Sequence, residues 1–265
     1  MERKDVWAAG AHYEPYVGRW SRLVAREFLT WLAVPANRDW LDVGCGTGAL
    51  TQAILETATP HAVRSIDASA EFIEHARARI ANPLASFEVG DARSLPMDRA
   101  SFDVAVAALV LNFVPEPSAA VAEMSRAVRP GGIVAAYVWD YAEKMELMRY
   151  FWDAAVALDP AAFDLDEGRR FSICARKPLA ELFAKAGLHA VDVCPIDVST
   201  RFGDFDDYWS PFLGGQGPAP GYAMSLSEDR RNMLRDRIRS QLPIAPDGTI
   251  QLIARAWAIS GRAPS

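Results

Sequence analysis

Asp42-Val43-Gly44-Cys45-Gly46-Thr47-Gly48 sets three alternating glycines directly behind an acid. Trp40-Leu41 before it reads as a short strand, and residues 49–55 after it read as the start of a helix. Glycine is wanted where backbone turns tightly or comes close to a ligand, because it has no Cβ to clash. A strand, a glycine loop and a helix in that order aim free backbone N–H groups at whatever sits above the helix start. That is the geometry of a nucleotide-type site in an α/β fold.

The surrounding pattern agrees. Residues 17–33 read as an amphipathic helix with Trp20, Leu23, Val24, Phe28 and Leu32 at helical spacing. Strands follow at 40–43, 62–67, 86–89 and 102–109, the last a near-continuous apolar run suited to a strand buried on both faces. Ser69 caps the helix after the second strand. A helix at 117–128 is expected to stop at Arg129-Pro130-Gly131-Gly132, with a fifth strand at 133–139. After residue 140 the rhythm breaks. Residues 141–176 read as helical and aromatic, and 178–186 as a further helix. A strand is expected at 188–197, an irregular aromatic stretch next, a helix at 227–241 and a last strand at 250–259. Alternating strands and helices imply a doubly wound, mostly parallel sheet with right-handed crossovers. We read 1–265 as one domain of α/β class, with an N-terminal helical cap at 1–36 and helical lid insertions at 141–176 and 203–245.

Bulk properties narrow the function. The 265 residues are 51% hydrophobic and 23% charged, enough for a substantial core. A net charge of −6 with no undiluted basic run disfavours a nucleic-acid partner. Three unpaired cysteines (Cys45, Cys174, Cys194) argue against a disulfide framework, and the scattered His12, His61, His75 and His189 offer no metal cluster. The first residues lead into no apolar leader, and no apolar run approaches the ~20 residues of a membrane span. The expectation is a cytoplasmic protein without metal, working on a small molecule away from membranes.

Three acids follow the first three strands: Asp42 before the loop, Asp67 ending the second strand, and Asp91 in Gly90-Asp91-Ala92. Ligands of open α/β sheets bind at the carboxyl ends of strands, so these acids converge on one crevice. Asp67 suits ribose hydroxyls and Asp91 an exocyclic amine. These motifs, with Ser101-Phe102-Asp103 and Arg129-Pro130-Gly131-Gly132 in the same order, resemble class I S-adenosylmethionine-dependent methyltransferases. The likeness is strongest to the small-molecule branch that includes the ubiquinone and menaquinone methylases, and it runs from about Tyr13 to Trp139.

The resemblance implies a Rossmann-like methyltransferase fold with a seven-stranded sheet, and S-adenosylmethionine as cofactor. It implies that Gly44, Cys45, Gly46 and Gly48 line the methionine part through their backbone. Asp42 would reach the amino group or organise the loop. Asp67 would hold the ribose with Ala68 beside the adenine, and Asp91 with Ala92 would take the adenine amine. Ala107, Ala108 and Leu109 would floor the pocket. Tyr13, Tyr16, Arg19 and Trp20 resemble an N-terminal segment that folds over the cofactor, with Arg19 toward the methionine carboxylate. Asp103 reads as a hydrogen-bonding residue of the sheet and Cys45 as a loop filler.

Transfer needs a nucleophile held in line with the methyl group, helped by a base where the nucleophile is a phenol, amine or acidic carbon. His12, Tyr13, Asn112, Asp140 and Tyr141 are the candidates by position. Leu111-Asn112-Phe113-Val114-Pro115 after the fourth strand lacks the Asn/Asp-Pro-Pro-Tyr of base-amino methylases, and no cysteine stands there. The aromatic and methionine-bearing insertions suit a small, partly apolar acceptor. Two other readings are a nicotinamide-dependent dehydrogenase, disfavoured by a Gly-x-Gly-x-Gly rather than Gly-x-Gly-x-x-Gly loop, and a non-catalytic S-adenosylmethionine-binding protein.

Overall fold

Strands that are apolar on both faces must be covered by helices on both sides, and the chain alternates accordingly. The computed structural model describes residues 18–214 and 217–265. In chain order these form α1 (Arg19–Leu32), β1 (Asp39–Val43), α2 (Ala49–Thr57), β2 (Ala62–Asp67), α3 (Ala70–Arg79), β3 (Ala85–Val89), β4 (Phe102–Ala108), α4 (Pro117–Ala127) and β5 (Val128–Trp139). Next come α5 (Glu146–Leu158), α6 (Arg176–Lys185), β6 (His189–Phe202), α7 (Pro218–Ser225), α8 (Glu228–Gln241) and β7 (Ile250–Arg262), with short helical turns between them.

The sheet has seven strands in the order β3-β2-β1-β4-β5-β7-β6. β1 pairs in parallel with β2 and β4, as do β2 with β3 and β4 with β5. β7 lies antiparallel to β5, from Ile133 opposite Arg262 to Trp139 opposite Ala256. The parallel strands therefore end on one edge, which brings Val43, Asp67, Val89 and Ala108 to the same side.

Contacts divide the chain into two units. The first holds residues 21–139, 173–196 and 256–265, and so β1 to β5 with parts of β6 and β7. Its core is Trp40, Leu41, Ile54, Ile66, Val104 to Ala107 and Val134 to Val138, all buried. Phe28 of α1 packs on Tyr137 of β5 with ring centroids 4.9 Å apart. At the amino ends of the strands Asp103 accepts from the Asp39 N–H at 2.9 Å and pairs with Arg129 at 3.0 Å, the sheet role expected for it.

Among the described residues, the second unit holds 18–20, 140–172, 197–214 and 217–255. It builds its own aromatic core: Phe151 stacks on Phe212 at 4.6 Å, and buried Tyr208 donates its hydroxyl to the Leu147 carbonyl at 2.8 Å. Among the described residues no helix is long and apolar enough to cross a membrane.

Several local expectations change. Residues 141–176 are helical in pieces: α5 ends at Leu158, Asp159 caps a turn starting at Pro160, and Asp166 caps another at Gly168. Two Asp caps and a proline restart the chain each time. Leu23 is 40% exposed and leaves the apolar stripe of α1. β5 begins at Val128 rather than 133, because the Arg129-Pro130-Gly131-Gly132 segment stays within the strand as a bulge. Phe102 pairs with Val128, and pairing resumes only at Val104 with Ile133. Gly131 takes φ +74°, and a Cβ on Gly132 would stand 2.7 Å from the Arg129 carbonyl, so side chains cannot be accommodated there. β6 and β7 run on to Phe202 and Arg262, longer than the apolar segments suggest.

Candidate active site

β1 delivers the glycine loop and β2 delivers the acid that closes it. After Val43 the chain turns sharply, and Gly44, Gly46 and Gly48 have φ of +72°, +53° and +86°. The N–H groups of Gly44 and Cys45 both donate to the Ile66 carbonyl, at 2.7 and 3.0 Å. The next N–H, on Gly46, donates to Asp67 Oδ2 at 2.9 Å, while Oδ1 of the same carboxylate accepts from Ser69 N–H at 2.8 Å. Asp67 thus ties the loop to the β2–α3 turn. Burial pushes its carboxyl up, against these two hydrogen bonds.

The underside of the loop is packed. A Cβ on Gly44 would lie 2.5 to 2.8 Å from three carbons of Val110, and one on Gly48 would lie 2.5 Å from Ile80 Cδ1. Cys45 joins Ile73, Ala76, Ile80 and Phe87 in a buried cluster. Burial pushes its thiol up, which leaves it inert as a nucleophile, as its loop-filler role requires. Gly46 has open space around it.

Asp42 is fully buried. Thr51 Oγ1 in the first turn of α2 donates to Asp42 Oδ2 at 2.7 Å and lies 2.8 Å from Ser65 Oγ. Asp42 therefore braces the strand-to-helix turn, and its buried Oδ1 has no hydrogen-bond partner among the described residues. Burial, with the charge of Asp67 adding to it, pushes its carboxyl up to about 7. The Thr51 and Ser65 hydroxyls were not legible as part of the site, since nothing in their spacing signals it.

The remaining positions spread along the same edge. Ala68 is exposed at the end of β2. Asp91 follows β3 and is exposed, with Ala92 half-buried beside it. Arg93 grips the Asp91 carboxylate through Nε and Nη2, the latter at 2.7 Å, and holds it below the usual carboxylate range. A ligand amine would share this carboxylate with Arg93, a partner that sequence reading missed. Val89, opposite Asp67 in register, is 49% exposed and adds an apolar surface there. Ala107 is buried, Ala108 and Leu109 are half-buried, and Leu109 sits at φ +56° with its N–H on the Tyr137 carbonyl at 2.8 Å. Asn112, in the turn after β4, has a buried Nδ2 without a partner among the described residues.

Arg19, Asp140 and Tyr141 belong to the second unit. Asp140 accepts from Glu143 N–H at 3.1 Å, as a turn-capping acid does, and its Oδ2 is buried without a partner among the described residues. Burial raises its carboxyl. Tyr141 is buried against Phe171. His12, Tyr13 and Tyr16 lie outside the described residues. Among the described residues no group of His, Cys, Asp and Glu is arranged to hold a metal ion.

The family model described as a methyltransferase domain matches residues 41–136. This segment is similar to a methyltransferase domain. Its match covers the loop, all three acids and the turn after β4. A malonyl-[acyl-carrier protein] O-methyltransferase of Hahella chejuensis is 33% identical over 47% of this chain and 44% of its own length. A 2-methyl-6-phytyl-1,4-hydroquinone methyltransferase of Oryza sativa subsp. japonica is 34% identical over 43% of this chain and 32% of its own. The chain thus spans less than half the length of these curated relatives. Among solved structures, phosphoethanolamine N-methyltransferase 2 of Haemonchus contortus, in complex with S-adenosyl-L-methionine, aligns with TM-score 0.56 at 14% identity. That alignment covers 90% of this chain and 52% of the other. The methyltransferase domain and the seven-stranded fold therefore agree.

The buried acids make stability pH-dependent. Asp42 and, in the second unit, Glu167 are raised by burial to about 7 and about 8, from 3.8 and 4.5. Over pH 5 to 7 the native state holds protons on both that the unfolded chain releases, so stability falls as pH rises. Each group contributes up to ~1.4 kcal/mol per pH unit across that window. Urea unfolding at pH 5, 6 and 7 should show the decline. Glu167→Gln, which keeps an acceptor for Trp152 Nε1, should flatten it by that group's share. A wild-type curve flat over this range would contradict it.

Proposed function

We propose that the loop and acids of the first unit bind S-adenosylmethionine and that the chain transfers its methyl group to a small organic acceptor. The observation that carries the reading is the Asp67 lock: one carboxylate at the end of β2 holds the glycine loop open by its Gly46 N–H. The residues fit such a group. Gly46 has open space around it, the first N–H groups of α2 have no intrahelical partner, and among the described residues the buried Oδ1 of Asp42 has no hydrogen-bond partner. The antiparallel β7 between β5 and β6 departs from the 3-2-1-4-5-6 order of dinucleotide-binding sheets, which speaks against the nicotinamide reading.

Bound there, the cofactor supplies a sulfonium methyl that is already electrophilic. The protein's own work is therefore to hold and orient. The loop and Asp67 fix the donor end, and Asp91 and Val89 offer a polar and an apolar surface to a base. Asn112 has no basic nitrogen but can orient an acceptor oxygen through Nδ2. The relatives named for malonyl-[acyl-carrier protein] and for a hydroquinone support an acceptor carrying oxygen.

Asp67→Ala should weaken S-adenosylhomocysteine binding by roughly 1–3 kcal/mol, the size of a hydrogen bond to a charged group. Calorimetry on a variant with unchanged helical content reads it, and an unchanged dissociation constant would remove Asp67 from the site. Incubation with methyl-labelled cofactor and a metabolite extract tests transfer itself. A labelled small product supports it, and none across a broad extract leaves a binding protein.

A further inference from the structure

The second unit carries a hollow of about 140 Å³ between α5, α7 and α8. Its apolar wall is Ala155 and Leu158 of α5, Leu226 between α7 and α8, and Met233 and Leu234 of α8. Ala155 and Leu234 are buried, whereas Leu158 is 38% and Met233 57% exposed. Exposed apolar side chains gathered around a hollow mark a binding site, where scattered single ones need no explanation. The walls are held in place. Tyr222 of α7 lies against Trp152 of α5 with ring centroids 5.7 Å apart. Arg231 of α8 donates to the Ala223 and Leu226 carbonyls at 3.0 and 2.8 Å, which clasps α8 to the end of α7.

The polar groups lining the hollow are Asp159, Tyr222 and Arg230. Asp159 directly follows α5, and its two oxygens are used unequally. Oδ1 accepts from Ala161 N–H at 3.0 Å and caps the next turn. Oδ2 faces the Tyr222 hydroxyl at 3.5 Å, the outer limit of a hydrogen bond. Burial, and then the Asp159 charge, push the Tyr222 hydroxyl up, so it stays a donor, while the Arg230 charge acts on it in the opposite sense. The carboxylate thus disfavours an anion and the guanidinium a cation. A neutral hydroxyl suits both, because it donates to Asp159 Oδ2 and accepts from Arg230 or Tyr222. Size sets the rest: an apolar cavity of about 150 Å³ holds one benzene ring.

We propose that this hollow binds a small neutral ring bearing a hydroxyl group, a phenol being the simplest case. The ring fills the space between Leu158, Leu226 and Met233, and its hydroxyl docks on Asp159 Oδ2. A bare ring would cover that oxygen without pairing it, which is unfavourable. The site rests on the second unit alone and not on the function proposed above.

The full chain, ¹³C-labelled at the methionine methyl groups, tests this. The Met233 signal is assigned by its loss in Met233→Leu. Phenol, toluene and benzylamine are titrated at pH 7. Phenol should shift the Met233 signal saturably and bind at least tenfold more tightly than toluene or the charged benzylamine. Asp159→Asn keeps the Oδ1 cap on Ala161 and puts a donor where Oδ2 accepted. It should weaken phenol at least tenfold and leave toluene unchanged. Met233→Trp, at an exposed position, fills the mouth and should abolish the heat of phenol binding at unchanged helical content. A Met233 signal unmoved by phenol would overturn the proposal. So would equal affinities for phenol and toluene, or an Asp159→Asn variant that binds phenol as tightly as the wild type.

Discussion

Gly44→Ala should lower stability by roughly 2–5 kcal/mol and abolish measurable S-adenosylhomocysteine binding. Two effects add. An alanine at φ +72° takes on a left-handed conformation that costs about 1–2 kcal/mol. Its Cβ would also stand 2.5 to 2.8 Å from three carbons of Val110, and such overpacking costs about 1–3 kcal/mol where neighbours cannot give. Val110 follows the strained Leu109, so any adjustment moves backbone at the end of β4. Gly46→Ala is the control. It meets the same backbone demand at φ +53° but has nothing within 4 Å, so it should cost only about 1–2 kcal/mol. Urea unfolding of both variants checks the difference. Equal losses would mean that the close approach to Val110 contributes nothing.

Asp166→Ala should destabilise the second unit by about 3–5 kcal/mol, the usual effect of removing one partner of a buried ion pair. Arg149 reaches Asp166 with Nη1 at 2.9 Å and Nη2 at 2.8 Å, and the two side chains are 14% and 8% exposed. The same carboxylate caps the turn at Gly168, whose N–H donates to it at 2.9 Å. The substitution therefore strands a cation, held by the Tyr141 carbonyl and the exposed Asp153, and removes a cap. Replacing both partners, as Arg149→Met with Asp166→Ala, should recover part of the loss, because no unpaired charge remains. Thermal unfolding of the single and double variants reads this. A double variant less stable than the single one would contradict it.

The legible parts of the fold are those where local chemistry and tertiary demand coincide. Gly44, Gly46 and Gly48 turn as their type allows, Ser69 caps α3 through Phe72 N–H at 3.3 Å, and the apolar run at 102–109 is a central parallel strand. The Arg129-Pro130-Gly131-Gly132 segment looked like a stop because proline and glycine end helices. It does end α4, but the pairing of β4 with β5 carries the same residues into the sheet, and that tertiary choice has no local signature. The second unit was least legible. Its aromatic residues announce a core, but which rings meet depends on chain returning from 50 residues or more away, as Phe151 meets Phe212. In the site, the positions of Asp42, Asp67 and Asp91 followed from strand ends alone. Their partners did not: Thr51 lies in the first turn of α2, and Arg93 reaches back two residues across a turn.

The most direct test of the central claim is a pair of calorimetric titrations of the purified chain at one pH, with S-adenosylhomocysteine and with NAD. The account predicts saturable binding of S-adenosylhomocysteine, weakened in Asp67→Ala, and no heat from NAD. Binding of NAD with none of S-adenosylhomocysteine would contradict it.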